Sequence, residues 1–244
     1  MADMQAGRQS PRHDIAYFIG RLEHTEYYVR KEAVAALAQL AEKGDERAIA
    51  LICARLEDAD EDVRVEAVRA LVEATVKGDE RAIAKVCAQL EDESRFVREA
   101  AVLALAEVAQ KGNKQAISGV CARLEDADLY VREAAVSTLA VVAEKGDEEA
   151  IGNVCARIRH AHRDVRKAAV SALAKVAKKG DEQTTACFCV SLEDFGFHVR
   201  EAAASALIEV GDERALHKIS ARLDHANKDV RDAASFTLRG VAEK

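Results

Sequence analysis

The chain has 244 residues, with 36 Lys or Arg and 43 Asp or Glu, so its formal net charge is −7. This acidic balance argues against sequence-independent binding to DNA or RNA, because phosphate affinity comes from basic residues. Aromatic residues make up 4% of the chain and Trp is absent, so the core must consist of Ala, Val, Leu and Ile. One Pro and 12 Gly are too few for an all-β fold with frequent turns, and long helices are predicted instead.

No apolar run approaches the roughly 18 residues that a membrane span requires. The opening residues MADMQAGRQSPRHD also lack the apolar stretch of a signal peptide. We therefore expect no contact with a membrane and a cytoplasmic location, in a reducing intracellular compartment. Residues 1–10 are predicted to form a flexible N-terminus.

An internal repeat dominates the sequence. The dipeptide Val-Arg recurs six times at a spacing of 34 residues, and a seventh copy follows after 31. Cutting at the Gly-Asp junctions gives a single domain, residues 11–244, of seven units: 11–44, 45–78, 79–112, 113–146, 147–180, 181–211 and 212–244. The sixth unit is short because its ending shrinks to Gly211, so we expect its second helix to be trimmed.

Each unit predicts two antiparallel helices, A and B. In the second unit, apolar residues from Ile49 to Leu56 fall at i, i+3, i+4 and i+7, which is the pattern of a helix with one buried face. From Val63 to Ala74 they fall at i, i+4, i+7, i+8 and i+11, so helix B is predicted to pack on two sides.

Polar residues at the predicted helix starts can accept hydrogen bonds from free backbone amides. For helix A these are Asp45, Asp79, Asp147, Asp181 and Asp212, each directly after a Gly that is suited to ending the previous helix with positive φ. For helix B they are Asp60, Ser94, Asp128 and Asn227. Ser10 before Pro11 gives the same signal for the first helix.

A period of 34 also fits tetratricopeptide repeats, but their signature needs Trp or other large aromatics and a Pro at fixed places. The units instead resemble short HEAT repeats of the kind named after phycobilisome lyases. Their pattern is an Asp, then Val-Arg, then an Ala-rich helix that ends in Leu, and it is matched by Asp58, Val63, Arg64, Ala67 and Leu71. This resemblance covers residues 11–244. It implies an all-α fold, a right-handed α-solenoid, whose commonest use is to hold another macromolecule.

Because seven copies stand in one chain, a constant position serves the stacking that all units share. One constant column is Leu: Leu37, Leu71, Leu105, Leu139, Leu173, Leu207 and Leu238. The second is Arg: Arg30, Arg64, Arg98, Arg132, Arg166, Arg200 and Arg231. The resemblance implies that these Arg residues form a ladder with Asp58, Asp92, Asp126 and Asp194. Where His24, His160 and His225 replace the Asp, we expect a neutral imidazole to accept a hydrogen bond from Arg.

Five of the six Cys residues share one column: Cys53, Cys87, Cys121, Cys155 and Cys189. They are predicted to be reduced core residues, because helices packed about 8 to 10 Å apart exceed the Cα separation of a disulfide. Cys187 makes a C-x-C with Cys189, but no second pair stands at metal spacing. We therefore predict no metal and no cofactor.

The common sequence motifs of enzymes are absent from the chain. It contains no phosphate loop, dinucleotide fingerprint, G-x-S-x-G or H-E-x-x-H. Deoxyhypusine hydroxylase, an enzyme built of HEAT repeats, holds two irons with His-Glu pairs, and none of the seven His residues here precedes Glu. The sequence therefore predicts no catalytic residues and no enzyme activity.

The variable positions on the exposed side of helix B, which lines the inner curve of such solenoids, are candidates for recognition. Aromatic residues gather in the turn before Val-Arg, and exposed apolar patches mark protein interfaces. The predicted partner-binding residues are Tyr28, Val65, Arg69, Phe96, Leu103, Tyr130 and Val141. The predicted function is a non-catalytic scaffold or assembly factor that binds another protein of unknown identity.

Three alternatives remain open. The fifth unit carries a basic patch that can receive nucleic acid or an acidic peptide: Arg157, Arg159, Arg163, Lys167, Lys175, Lys178 and Lys179. The same residues also fit an ordinary solvated face. The chain can also be an auxiliary subunit of a lyase-type enzyme, or a designed or consensus-derived repeat protein without a native partner.

Overall fold

The computed structural model describes residues 15–243, which fold into fourteen α-helices without any β-strand. The predicted flexible N-terminus, and the predicted cap Ser10 with Pro11, lie outside the described residues. The helices are α1 (Ile15–Ile19), α2 (Tyr27–Leu40), α3 (Glu46–Ala54), α4 (Glu61–Ala74), α5 (Glu80–Ala88), α6 (Arg95–Val108), α7 (Lys114–Ala122), α8 (Leu129–Val142), α9 (Glu148–Cys155), α10 (Arg163–Val176), α11 (Glu182–Ser191), α12 (Phe197–Val210), α13 (Glu213–Ser220) and α14 (Lys228–Ala242). Short and long helices alternate, as the predicted A and B helices require.

The predicted helix caps are confirmed. The Asp45 carboxylate accepts from the backbone N–H groups of Arg47 and Ala48 at the start of α3, and the remaining predicted caps within residues 15–243 act in the same way. Asn113 and His162 cap α7 and α10 and were not predicted. A side-chain acceptor at the first position therefore defines most helix starts.

The turn glycines adopt positive φ, but they do not end the helices. Gly44, Gly78, Gly112, Gly146 and Gly180 have φ between 73° and 93°. Helix α2 already ends at Leu40, and the Gly44 N–H donates instead to the Ala74 carbonyl at the end of α4, at 2.7 Å. The other four glycines repeat this bond to the end of the next helix B. The positive φ that Gly allows thus serves the stacking of one repeat on the next.

The predicted trimming of helix B in the sixth unit is wrong. Helix α12 has 14 residues, the same length as α10 before it. The shortening falls in the connection, where Gly211 ends α12 and Asp212 directly caps α13. A helix B of full length keeps its apolar residues in register with those of its neighbours, whereas a turn tolerates deletion more easily.

The described residues divide into two compact units, one up to Ala109 and the other from Gln110 onward. In the first, α4 packs between α2 and α6; in the second, α8, α10, α12 and α14 pack in succession, and in both units each helix A packs on its own helix B. The single-domain assignment of residues 11–244 remains a prediction. The all-α, α-solenoid fold class is confirmed.

The core has the predicted composition of Ala, Val, Leu and Ile. Six members of the Leu column are almost completely buried, and Leu238 on α14 is half-buried. Among the ten aromatic residues, Phe18 and Phe188 are buried and the other eight are exposed. No helix within residues 15–243 is both long and apolar enough to cross a lipid bilayer.

Candidate functional site

Arg30, Arg64 and Arg166 of the Arg column form the ladder contacts that the sequence resemblance implies. Arg64 on α4 donates from Nε and Nη2 to the two carboxylate oxygens of Asp92, at 2.8 and 3.0 Å. Its Nη1 donates to the backbone carbonyl of Asp58 in its own turn, at 2.9 Å. The pairs Arg30–Asp58 and Arg166–Asp194 repeat this geometry within their compact units. Bidentate bonds of this kind join consecutive repeats.

These ion pairs shift the protonation of their members. Burial of the Asp58 carboxyl acts to raise its pKa, but hydrogen bonds from Arg30 and from the Asp60 N–H outweigh this effect, and the pKa is lowered. The hydrogen bond to Asp58 likewise raises the pKa of Arg30. The charged forms of both residues are therefore stabilised in the fold.

The prediction that the imidazoles of His24, His160 and His225 accept from Arg is wrong: among the described residues, Arg donates to the backbone carbonyls of these His residues and not to their rings. The Nδ1 atoms of His24, His160 and His225 each accept from the backbone N–H two residues later, at 3.1 Å. The Asp residues of the column do this as well, with one carboxylate oxygen. The imidazole thus keeps the capping bond of Asp and loses the ion pair with Arg.

Several of the predicted partner-binding residues line a groove between α4 and α6 in the first compact unit. We call it the α4–α6 groove; its volume is about 700 Å³. Its apolar lining is Val65, Val68, Val72, Phe96, Ala100, Leu103, Ala104 and Ala106. Its charged lining is Lys31, Glu61, Asp62, Arg69, Glu73, Glu99 and Glu107.

Four of the seven predicted partner-binding residues come together in this groove: Val65, Arg69, Phe96 and Leu103. The side chains of Phe96 and Leu103 are 49% and 48% exposed, although both are large and apolar. Tyr28 is exposed on α2 and does not line the groove. Tyr130 and Val141 are exposed on α8 in the second unit. The helical phase thus correctly predicted the exposed side chains among these residues, except that Val65 is half-buried.

The charges around the α4–α6 groove are predominantly negative. Five carboxylates face two cations, and Lys31 pairs with Asp62 at 3.8 Å. Glu73, Glu99 and Glu107 form no ion pair with any residue in the described part of the chain. An apolar floor with unpaired carboxylates at its rim favours a ligand that is both apolar and positively charged.

The second unit holds smaller grooves, and two of them lie between neighbouring helices B. The α8–α10 groove, about 380 Å³, is lined by two cations, Arg132 and Lys167, and by two carboxylates, Glu133 and Asp164. The groove between α12 and α14, about 470 Å³, lies between the exposed rings of Phe197 and Phe236. Neither groove was predicted from the sequence.

The repeat geometry agrees with a comparison of the sequence to known families. The family model of HEAT repeats matches five overlapping stretches, residues 15–106, 49–140, 83–174, 117–194 and 154–239. The chain belongs to the HEAT-repeat family. No curated protein matches this HEAT-repeat chain significantly in sequence.

Solved structures with TM-scores above 0.5 show the same fold. Kap95p, from a complex with RanGDP, is 18% identical over 94% of this HEAT-repeat chain and 36% of its own length, with a TM-score of 0.65. An engineered protein is 19% identical over 93% of this chain and 68% of its own, with a TM-score of 0.51. The CpcE–CpcF complex of phycocyanin lyase from Nostoc sp. PCC7120 is 19% identical over 99% of both chains, with a TM-score of 0.48. At these identities the likeness concerns the fold alone.

The thiols of this HEAT-repeat protein are all free. Burial raises the pKa of Cys87 to about 11 and that of Cys121 to about 12, so both are protonated at neutral pH. Cys155 on α9 and Cys187 on α11 interact directly: a hydrogen bond between their thiols raises the pKa of Cys155 and lowers that of Cys187. Within residues 15–243, no group of three or more His, Cys, Asp or Glu is placed to hold a metal ion.

The basic residues of the fifth repeat are spread along α10 and the segments before and after it. Arg157 is half-buried; its Nε forms an ion pair with a Glu125 carboxylate oxygen at 2.8 Å, and its Nη1 donates to the Asn153 carbonyl. Lys167 lines the α8–α10 groove. Arg163 begins α10, whereas Lys178 and Lys179 follow its end and are therefore about 20 Å away along the helix axis. Arg159 and Lys175 are exposed.

Proposed function

We propose that this HEAT-repeat protein is a non-catalytic scaffold that binds a partner protein through the α4–α6 groove. The observation that carries the proposal is the pair of half-exposed apolar side chains, Phe96 and Leu103, beside an open groove of about 700 Å³. Large apolar side chains in a contiguous exposed patch are costly in water and typical of protein interfaces. We propose a reducing cytoplasmic setting, which the six free thiols support.

The test is photo-crosslinking in the source cell, followed by identification of the attached protein. A photoreactive amino acid replaces Arg69, which lines the groove, or Arg81, which is exposed on α5 in the same compact unit. We expect position 69 to capture one discrete protein, and position 81 not to capture it.

The double variant Phe96→Ser, Leu103→Ser provides the matched control. Both side chains are about half exposed, so we expect the circular dichroism spectrum and melting temperature to change little. Crosslinking from position 69 should be lost in this background. Capture of the same protein from position 81, or undiminished capture in the double variant, would overturn the proposal.

A further inference from the structure

We infer that the α4–α6 groove takes a protein segment whose apolar side chains are flanked by Lys or Arg. This inference rests on the proposed function, and it adds the chemistry of the partner. Three features of the groove support it: its apolar floor, the spacing of the residues on α6, and the unpaired charges at the rim.

The floor supplies the apolar contact. Val68 is fully buried beneath the groove, while Val65 and Val72 are half-buried beside it on α4. On the facing helix, small side chains at Ala100 and Ala104 leave the space that the groove occupies. An apolar side chain that enters this space removes its own surface and that of the valines from water, which is favourable.

Helix α6 presents apolar and acidic side chains in alternation along one stripe. Phe96, Glu99, Leu103 and Glu107 are spaced by 3, 4 and 4 residues, so they share one face of the helix. At 1.5 Å per residue, Phe96 and Leu103 are about 10 Å apart along the axis, and Glu99 and Glu107 about 12 Å. A complementary helix would carry apolar residues seven positions apart, with basic residues one turn from each.

The rim determines the sign of the ligand's charge. Glu73, Glu99 and Glu107 have no ion-pair partner within residues 15–243, and the lining of the groove holds five carboxylates against two cations. A nucleic acid would bring phosphates against these carboxylates. A second copy docked through the same groove would bring carboxylates against carboxylates. A basic protein segment is the occupant that this charge distribution favours.

Three synthetic helical peptides test the inference directly. They share two Leu residues seven positions apart and differ only in the flanking positions, which are Lys, Gln or Glu. Binding of each labelled peptide to the full chain is measured by fluorescence anisotropy at 50 and 500 mM salt. We expect the Lys peptide to bind most tightly and the Glu peptide least, with a difference that shrinks at high salt because exposed charges are screened.

Charge variants connect the preference to the rim. The double variant Glu99→Gln, Glu107→Gln should weaken binding of the Lys peptide by roughly fivefold and leave the Gln peptide unchanged. Glu133→Gln with Glu148→Gln removes two exposed carboxylates from the second compact unit and is the matched control. It should change neither affinity.

The inference fails if the Lys peptide does not bind, if the three peptides bind equally, or if the two double variants act alike. Sedimentation provides one further arm: a dimer that Phe96→Ser, Leu103→Ser converts to a monomer would make a second copy the occupant. Capture of a partner from position 69 would support the proposed function whatever the peptide measurements show. A failure of the charge preference is therefore distinguishable from a failure of the proposed function.

Discussion

Arg64 in the first compact unit and Arg132 in the second occupy the same repeat position, yet they are held differently. Both are 7% exposed, and both donate from Nη1 to carbonyls of their own turn. Arg64 adds two hydrogen bonds to Asp92, whereas Arg132 reaches only Asp164, at 3.9 Å. The difference arises because His160 stands where the next Asp of the column is expected. An Asp at this position both accepts from the backbone N–H two residues later and pairs with Arg. His160 forms only the first of these two bonds.

Among the variants that test this difference, Asp92→Ala should cause the largest loss of stability. It removes the carboxylate from a nearly buried guanidinium and the acceptor from the Ser94 N–H. We expect the free energy of unfolding to fall by about 3 to 5 kcal/mol, as for other broken buried ion pairs. Urea denaturation measures it, with Asp224→Ala in an exposed turn as the control. A loss no larger than that of the control would show that the ladder does not stabilise the stack.

Truncations in the core test whether the two regions differ only at the ladder. Leu71 on α4 and Leu139 on α8 are both completely buried. We expect Leu71→Ala and Leu139→Ala each to cost about 2 to 5 kcal/mol, and the two costs to agree within about 1 kcal/mol. Urea denaturation under identical conditions compares them. A cost far smaller at Leu139 would place the difference between the regions in core packing, and not in the ladder.

The repeat explains why the helices were predictable and some details were not. Every unit must bury the same faces, so apolar spacing and the capping residues locate the helix pairs, and only the sixth connection differs. The phase of the helices also shows that Phe96 and Leu103 point outward. The groove itself was not predictable, because its volume and its rim depend on the distance between α4 and α6.

Two features escaped prediction because they break the column pattern. Phe197 and Phe236 are 39 residues apart and belong to different repeat positions, so no periodicity connects them across their groove. Cys187 stands two residues before the Cys column. The expected separation of about 8 to 10 Å between helices argues against contact only between thiols of the column itself. The approach of Cys187 to Cys155 depends on how α9 and α11 pack. Contacts between residues of different columns depend on how the helices pack, which the repeat pattern does not specify.

The His160→Asp variant should sharpen the comparison by making the second region resemble the first. A carboxylate at this position can keep the capping bond and also accept from Arg132, as Asp92 does for Arg64. We expect a gain of about 1 kcal/mol in the free energy of unfolding, because a hydrogen bond to a charged group is formed. His160→Asn, which keeps an acceptor for the cap and adds no charge, should leave stability nearly unchanged. An equal gain from both variants would assign the effect to the cap.

The smallest expected effect is on the pH dependence of the free energy of unfolding. Hydrogen bonds from Arg30 and the Asp60 N–H lower the pKa of Asp58 in spite of its burial. Because the folded pKa lies below the unfolded value of about 3.9, this stabilisation is complete above that value and is lost as pH falls through the folded pKa. Between pH 5 and pH 3 the wild type should therefore lose more stability in urea than Asp58→Asn. The His160→Asn variant, which changes no carboxylate, should follow the wild type over this interval, and identical curves for wild type and Asp58→Asn would contradict the assignment.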